Sequence, residues 1–386
     1  MEHVIESVLL AGGGTAGHVN PLLAVADEIR ATSPGASVTV LGTREGLEAD
    51  LVPARGYPLA VVPRVPLPRR PTLDWFRLPG RLRAAVRAAG AAIDESGAQV
   101  VVGFGGYVST PAYLAARRRG VPVVIHEQNT RAGLANRLGA RWAQAVAVTF
   151  PATELRGAQV TGLPLRREIA ALVADRARDA AASRTQAAQA LGLDPARPVL
   201  LVTGGSLGAQ RLNETVAAIA PEIVGSGVQV LHLTGRGKDG PVRAVADALP
   251  ADLRADYQVR EYLGEMHLAY AVADLVVCRA GAGTVCELAA LGLPAVYVPL
   301  PVGNGEQRLN AAPVVDAGGG LLVADADFTP QWARATVLPL LTDASALTAM
   351  GEAARGAGVT DAAAKVVALI EAAAAADPAS GQAGSR

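Results

Sequence analysis

Two glycine-rich turns and one histidine hold most of the chemistry this sequence can offer. Residues 279–287, RAGAGTVCE, follow an apolar run at 274–278 and lead into a helical pattern through Leu288 and Leu291. In such a strand, turn and helix start, Gly281 and Gly283 let the backbone approach a ligand, and the first N–H groups of the helix face an anion. A phosphate or diphosphate is the natural guest. Glu287 falls about one turn into the helix, where a carboxylate can accept hydrogen bonds from two neighbouring hydroxyls, such as those of a ribose. A packing turn would use the same residues, with Glu287 complementing the helix dipole for about 0.3–1 kcal/mol. A second apolar run, 293–301, then enters an amide-rich segment, 304–311, in which Gln307 and Asn310 are spaced to share one helix face. Primary amides both donate and accept, which suits the hydroxyls of a sugar.

The other turn, GGGTAGH at 12–18, follows the apolar run 7–11. Asn20 as N-cap and Pro21 at the first helical position predict a helix from there to about Ala31. Gly12, Gly14 and Gly17 match the dinucleotide fingerprint, which also wants an acidic residue ending the second strand. That strand, 37–41, ends in Gly42 and Thr43, with Glu45 only farther on, so the nicotinamide reading weakens while anion binding by the loop survives. His18, a titratable imidazole at the mouth of the loop, is the first candidate for a general base; a histidine merely held by hydrogen bonds near a helix start is the alternative.

These residues need strands to position them. The runs 99–109 and 121–129 read as buried strands ending in polar or glycine-rich turns, and in an open parallel sheet ligands gather at the carboxyl ends of the strands. His18, Tyr107, His126, Glu127 and Asn129 should therefore converge on one crevice. Glu127 is a second candidate base, or a residue that only orients its neighbours. Residues 199–209 repeat the plan of 8–17, strand then glycine turn then helix, and Ser206 offers a hydroxyl and an N–H to a phosphate. That internal repeat argues for two Rossmann-like α/β domains facing each other across a central cleft. Residues 160–166 read as a hinge and 169–190 as an Ala- and Arg-rich helical insert without chemistry. Asp325 and Asp327 form a D-x-D string that reads as a surface loop rather than a metal site.

A chain of 386 residues fits two domains, and its formal net charge of zero gives no field that advertises nucleic acid as partner. The two cysteines, Cys278 and Cys286, read as small buried residues, not as a disulfide or metal site. The N-terminus lacks a signal-peptide pattern, and the uncharged stretches 7–26, 96–116 and 288–305 are broken by glycine and proline, so none can be a spanning helix. Residues 64–87 differ, with seven arginines, the single acid Asp74, and Trp75, Phe76, Leu78 and Leu82 interleaved. Such a segment can lie in a lipid interface, or present a solvated arginine face with its apolar side in the core.

The stretch from Arg279 to Asn310, the string GFGGY at 103–107 and HEQN at 126–129 together resemble the two-domain GT-B glycosyltransferases of the MurG family, in motif order and over nearly the whole chain. The resemblance implies an inverting transfer of N-acetylglucosamine from UDP-N-acetylglucosamine to the 4-hydroxyl of an undecaprenyl-linked muramyl-pentapeptide in peptidoglycan synthesis. It implies no cofactor and no obligatory metal, and a peripheral place on the cytoplasmic face of the cell membrane beside other cell-wall synthesis proteins. It assigns the substrate contacts to Thr15, Ala16, Gly17, Asn129, Arg166, Ser206, Leu263 (against the uracil), Ala282, Gly283, Thr284, Val285, Cys286, Glu287, Gln307 and Asn310. The acceptor side falls to Gly13, Gly14, Tyr107 and His126, and catalysis to His18 or Glu127. The implied domains are 1–163, joined by a returning helix at about 355–376, and 164–354, with 377–386 a flexible tail. The proline-rich stretch 298–302 and Glu306 depart from some family members, which leaves the sugar contact there open. Another lipid-directed GT-B transferase, a UDP-sugar epimerase of the same fold and a dinucleotide-dependent oxidoreductase are the alternatives.

Overall fold

The computed structural model of the protein describes residues 5–65, 74–205 and 209–376, the side chains of residues 74–77 excepted. Two compact units emerge, one built from the chain up to Arg167 together with the chain from Asp361 onward, the other from Glu168–Thr360.

The first unit is organised on seven parallel strands, β1 (Ser7–Ala11), β2 (Ser37–Gly42), β3 (Leu59–Val61), β4 (Val100–Gly103), β5 (Val123–Glu127), β6 (Ala145–Val148) and β7 (Ala158–Val160). They lie in the order β3-β2-β1-β4-β5-β6-β7. All five residues of β1 are buried, and they alternate between two apolar clusters, Val8 and Leu10 facing one, Leu9 and Ala11 the other. This is why the strand reads as an unbroken apolar run: helices cover both faces of a parallel sheet. The last helix, Ala362–Ala375, belongs to this layer, with Val366, Val367 and Ile370 buried against Leu22 and Val25 of the helix Ala16–Thr32. Each such side chain stabilises the layer by about 1.5–3 kcal/mol.

The second unit repeats the plan with six parallel strands, β8 (Val199–Thr203), β9 (Gln229–Leu233), β10 (Tyr257–Arg260), β11 (Leu275–Cys278), β12 (Ala295–Tyr297) and β13 (Gly320–Leu322). Their order is β10-β9-β8-β11-β12-β13. In each sheet the strand order reverses once, between β1 and β4 and between β8 and β11. A ligand crevice forms beyond the carboxyl ends of the strands at such a reversal. The two glycine turns singled out in the sequence lie there, after β1 and after β11.

The helix Arg167–Leu191 fills the position of the Ala- and Arg-rich insert, and Asp179 at φ −156° interrupts its helical backbone. The arginine-rich segment is described only in part, since residues 66–73 lie outside the described residues. In the helix Asp74–Ser96 the described arginines Arg81, Arg83 and Arg87 are exposed, while Ala85, Val86, Ala89 and Ile93 pack into the core. Among the described residues no helix is long and apolar enough to cross a membrane.

Candidate active site

The helix after β1 begins at Ala16 with Thr15 as N-cap, not at Asn20 and Pro21 as their types suggest. Pro21 instead sits one and a half turns inside, forgoing the bond its N–H would have made to the Gly17 carbonyl. The earlier start puts His18 in the first turn. Its Nδ1 lies 3.2 Å from the carbonyl oxygen of Gly13 and 3.1 Å from Oγ1 of Thr15. A carbonyl can only accept and a hydroxyl can do either, so both contacts are satisfied when Nδ1 carries the hydrogen and Nε2 the lone pair.

The loop between strand and helix is braced by a residue to which sequence reasoning gave no role. Glu48, 0% exposed in the helix Glu48–Ala54, accepts from the N–H of Gly14 at 2.8 Å, the N–H of Thr43 at 2.9 Å and the hydroxyl of Thr43 at 2.8 Å. A Cβ at Gly13, Gly42 or Gly46 would run into its side chain. Burial pushes this carboxyl up, but the N–H donors of Gly14 and Thr43 outweigh it and hold the group below its ordinary value. The acidic residue that the fingerprint misses at the end of β2 is thus supplied six residues later, and it binds the loop itself. The turn after β4 closes over the same loop: Gly105 and Gly106 take φ of +92° and +80°, and a Cβ at Gly106 would lie 2.7 Å from the Gly13 carbonyl. Tyr107, 39% exposed, stands at this rim with the Arg64 guanidinium 5.3 Å from its ring centre.

At the end of β5 the two neighbouring candidates take different environments from His18. His126 is fully buried, with Nε2 3.0 Å from the carbonyl of Gly162 and Nδ1 3.1 Å from the side-chain amide of Gln128. Burial pushes its imidazole down to about 4, so it is a neutral clamp on the turn after β7. Glu127, 3% exposed, accepts from the N–H of Asn129 at 3.0 Å, the N–H of Gly133 at 2.9 Å and the Asn136 amide at 2.9 Å. Asn136 is held in turn by the hydroxyl of Tyr113 at 2.7 Å. Asn129 is half-buried at the end of this network.

In the second unit the helix Ala282–Leu291 starts on Gly281 as N-cap, after β11. Among the described residues nothing lies within 4 Å of where a Cβ at Gly281 or Gly283 would stand. Glu287 is 6% exposed on this helix, Val285 is buried, and Thr284 and Cys286 are half-buried. Burial pushes the Cys286 thiol up to about 12, with Glu287 adding to the shift, so the thiol stays protonated. In the helix Glu306–Asp316, Asn310 is fully buried, and the Gln307 side chain accepts from the N–H of Leu300 at 2.9 Å. Leu263 is half-buried against the apolar cluster beside β11, and Arg166 is half-buried just past the turn at Gly162. Ser206 lies outside the described residues. Asp325 is not the bare surface residue its loop suggests, because it pairs with Arg279 at 2.6 Å and thereby holds the start of the β11 turn, while Asp327 is exposed. Among the described residues no three His, Cys, Asp or Glu side chains gather closely enough to hold a metal ion.

Residues 8–148 match the model of the glycosyltransferase family 28 N-terminal domain, and residues 199–366 that of the family's C-terminal domain. The chain belongs to glycosyltransferase family 28. Among similar proteins is the UDP-N-acetylglucosamine–N-acetylmuramyl-(pentapeptide) pyrophosphoryl-undecaprenol N-acetylglucosamine transferase of Nocardioides sp., 58% identical over 90% of this chain and 92% of that protein. The enzyme of the same description from Frankia casuarinae is 56% identical over 96% of this chain and 97% of its own. Among solved structures, Acinetobacter baumannii MurG superposes with a TM-score of 0.74 at 30% identity, covering 95% of this chain and 99% of that one. The UDP-GlcNAc 2-epimerase from Neisseria meningitidis superposes with a TM-score of 0.66 over 95% of this chain and 99% of its own, but at 14% identity, a likeness of fold alone.

Proposed function

We propose that this family 28 member transfers N-acetylglucosamine from UDP-N-acetylglucosamine to the 4-hydroxyl of an undecaprenyl-diphosphoryl muramyl-pentapeptide, with inversion at the anomeric carbon and release of UDP. The observation that carries the reading is a 58% identity to a transferase of that description across 90% of the chain. The alternative of a UDP-sugar epimerase rests on fold likeness only.

In the reaction the acceptor oxygen attacks C1 of the sugar from the face opposite the diphosphate. The C1–O bond breaks with its electron pair leaving on UDP, and the acceptor proton passes to Nε2 of His18. The contact of Nδ1 with the Gly13 carbonyl supports this role, since it leaves Nε2 as the basic nitrogen. Glu127 takes the positioning role: its two oxygens accept three hydrogen bonds, which hold Asn129 and Asn136. His126 acts one layer deeper, holding the backbone at Gly162 rather than touching the acceptor. Negative charge developing on the departing diphosphate is met by the N–H groups of Ala282, Gly283 and Thr284, the Arg166 guanidinium and Ser206. Glu287 accepts from the ribose hydroxyls, Leu263 lies against the base, and Gln307 and Asn310 address the sugar. The acceptor's diphosphate lies along Gly13, Gly14 and Thr15 to Gly17, with Tyr107 at the rim.

The lipid acceptor requires the enzyme to work at a membrane surface, here the cytoplasmic face of the cell membrane. Arg83 and Arg87 are exposed, which supports contact with anionic headgroups. The test is UDP release with and without a short-chain analogue of the lipid acceptor, in EDTA. Acceptor-dependent release with a disaccharide-lipid product is expected; donor turnover to an isomerised sugar without acceptor would replace the transferase reading by an epimerase one.

A further inference from the structure

We propose that Glu48 is a positioning residue for His18, coupled to it through a single peptide group. The carbonyl of Gly13 and the N–H of Gly14 belong to the same peptide unit. The N–H donates to Oε2 of Glu48 at 2.8 Å, and the carbonyl faces Nδ1 of His18 at 3.2 Å. Hydrogen bonds in series polarise one another, so a carboxylate on the N–H end makes the carbonyl a stronger acceptor. That fixes the Nδ1–H tautomer, orients the ring and stabilises the imidazolium formed when Nε2 takes a proton. A carboxylate bonded directly to Nδ1–H does this in triad enzymes; here a peptide plane stands between the two.

The glycines around Glu48 fit the same role. Side chains at Gly13, Gly42 or Gly46 would displace the carboxylate, and one at Gly106 would displace the carbonyl, so these positions keep both ends of the relay in place. Other charged or titratable groups on the elements around it are Glu45, Arg64 and Tyr107, which line the cavity beside Gly13 and Glu48. On the β5 side, Glu127 is bonded to Asn136, whose amide flanks Gly105 together with the His18 ring. Asp27, Arg30 and Arg55 pair among themselves at the far end of the Glu48 helix. The Gly13–Gly14 peptide itself is bonded by Glu48 at its N–H and faced by His18 at its carbonyl.

The proposal rests on His18 as the base for its catalytic meaning, but not for its physical content, and the two are tested separately. In the full-length protein labelled with 15N and 13C, the His18 imidazole resonances are assigned by their loss in His18→Gln and followed with pH. The wild type is expected to show the Nδ1–H tautomer. In Glu48→Gln the Nε2–H form should gain population and the imidazole midpoint should fall by about half a pH unit or more. The acid limb of kcat should move down with it, at a KM for UDP-N-acetylglucosamine changed less than about twofold. An unchanged tautomer and midpoint in a folded Glu48→Gln overturns the coupling. Should that variant fail to fold, the wild type decides: the Gly14 amide and the Glu48 carboxyl carbon are expected to shift with the His18 midpoint, and silence in both overturns it. If the coupling is seen while His18→Ala keeps its turnover, the coupling stands and the assignment of the base falls.

Discussion

The glycine turn after β1 and the glycine turn after β11 share a sequence pattern and differ in what occupies the space beside them. At Gly13 that space belongs to Glu48, and at Gly106 to the Gly13 carbonyl; at Gly281 and Gly283 it holds nothing within 4 Å among the described residues. In the first unit the missing side chains make room for the protein itself, and one loop N–H is already taken by a carboxylate. In the second they leave room for a guest. The same G-x-G-T string can therefore stand in a loop packed against its own chain or in one with open space beside it. The neighbours decide which.

Substitutions should break the comparison in opposite ways. The largest effect is expected of His18→Ala: kcat should drop by about 10²–10⁴-fold while the KM for UDP-N-acetylglucosamine is kept, as the proposed proton transfer to Nε2 requires. Steady-state kinetics with a soluble acceptor analogue check this, and a loss confined to KM would remove His18 from the base position. Glu287→Ala should do the reverse, weakening donor binding by about 10- to 100-fold, the worth of hydrogen bonds to a charged group, with turnover at saturating donor largely kept. UDP affinity by calorimetry is the direct readout.

A smaller but sharper contrast comes from adding one methyl group to each turn. Gly13→Ala must displace Glu48 and should cost about 1–3 kcal/mol of stability, seen as a lower thermal midpoint. Gly283→Ala meets no neighbour and lies in a helix, so it should be neutral or stabilising by up to about 1 kcal/mol, while donor affinity falls. If Gly283→Ala leaves donor affinity intact, the open space beside it is not a ligand site.

The least localised prediction concerns acid, where the two units should behave alike. His126 in the first and His232 in the second are both fully buried, and burial pushes them down to about 4 and about 3. Unfolded histidine titrates near 6.5, so below that pH the unfolded chain binds protons the folded chain refuses. Stability should be full above about pH 6.5 and decline as pH falls toward 4. Calorimetric midpoints across that range test it, and His126→Gln should flatten the part due to the first unit.

Much of the site could be read without coordinates because its parts are local. The strand runs, both glycine turns and the placement of His18, Tyr107, His126 and Glu287 at the carboxyl ends of strands follow from apolar patterning and chain direction. Elsewhere the local signal did not decide the outcome. Asn20 and Pro21 carry every local sign of a helix start, yet the helix begins at Ala16. Asp325 looked like a loop acid and is tied to Arg279, 46 residues earlier. The sequence leaves Glu127 open between a base and a residue that orients its neighbours, and its three donors are visible only in the structure.

The sequence by itself determined that the chain makes two parallel α/β layers, since burial on both faces demands apolar runs and strand ends demand glycine turns. Tertiary structure alone decided what lies beside each turn. Gly14 meets its carboxylate across 34 residues, a separation over which no local pattern carries information, and the carbonyl of the same peptide faces Nδ1 of His18.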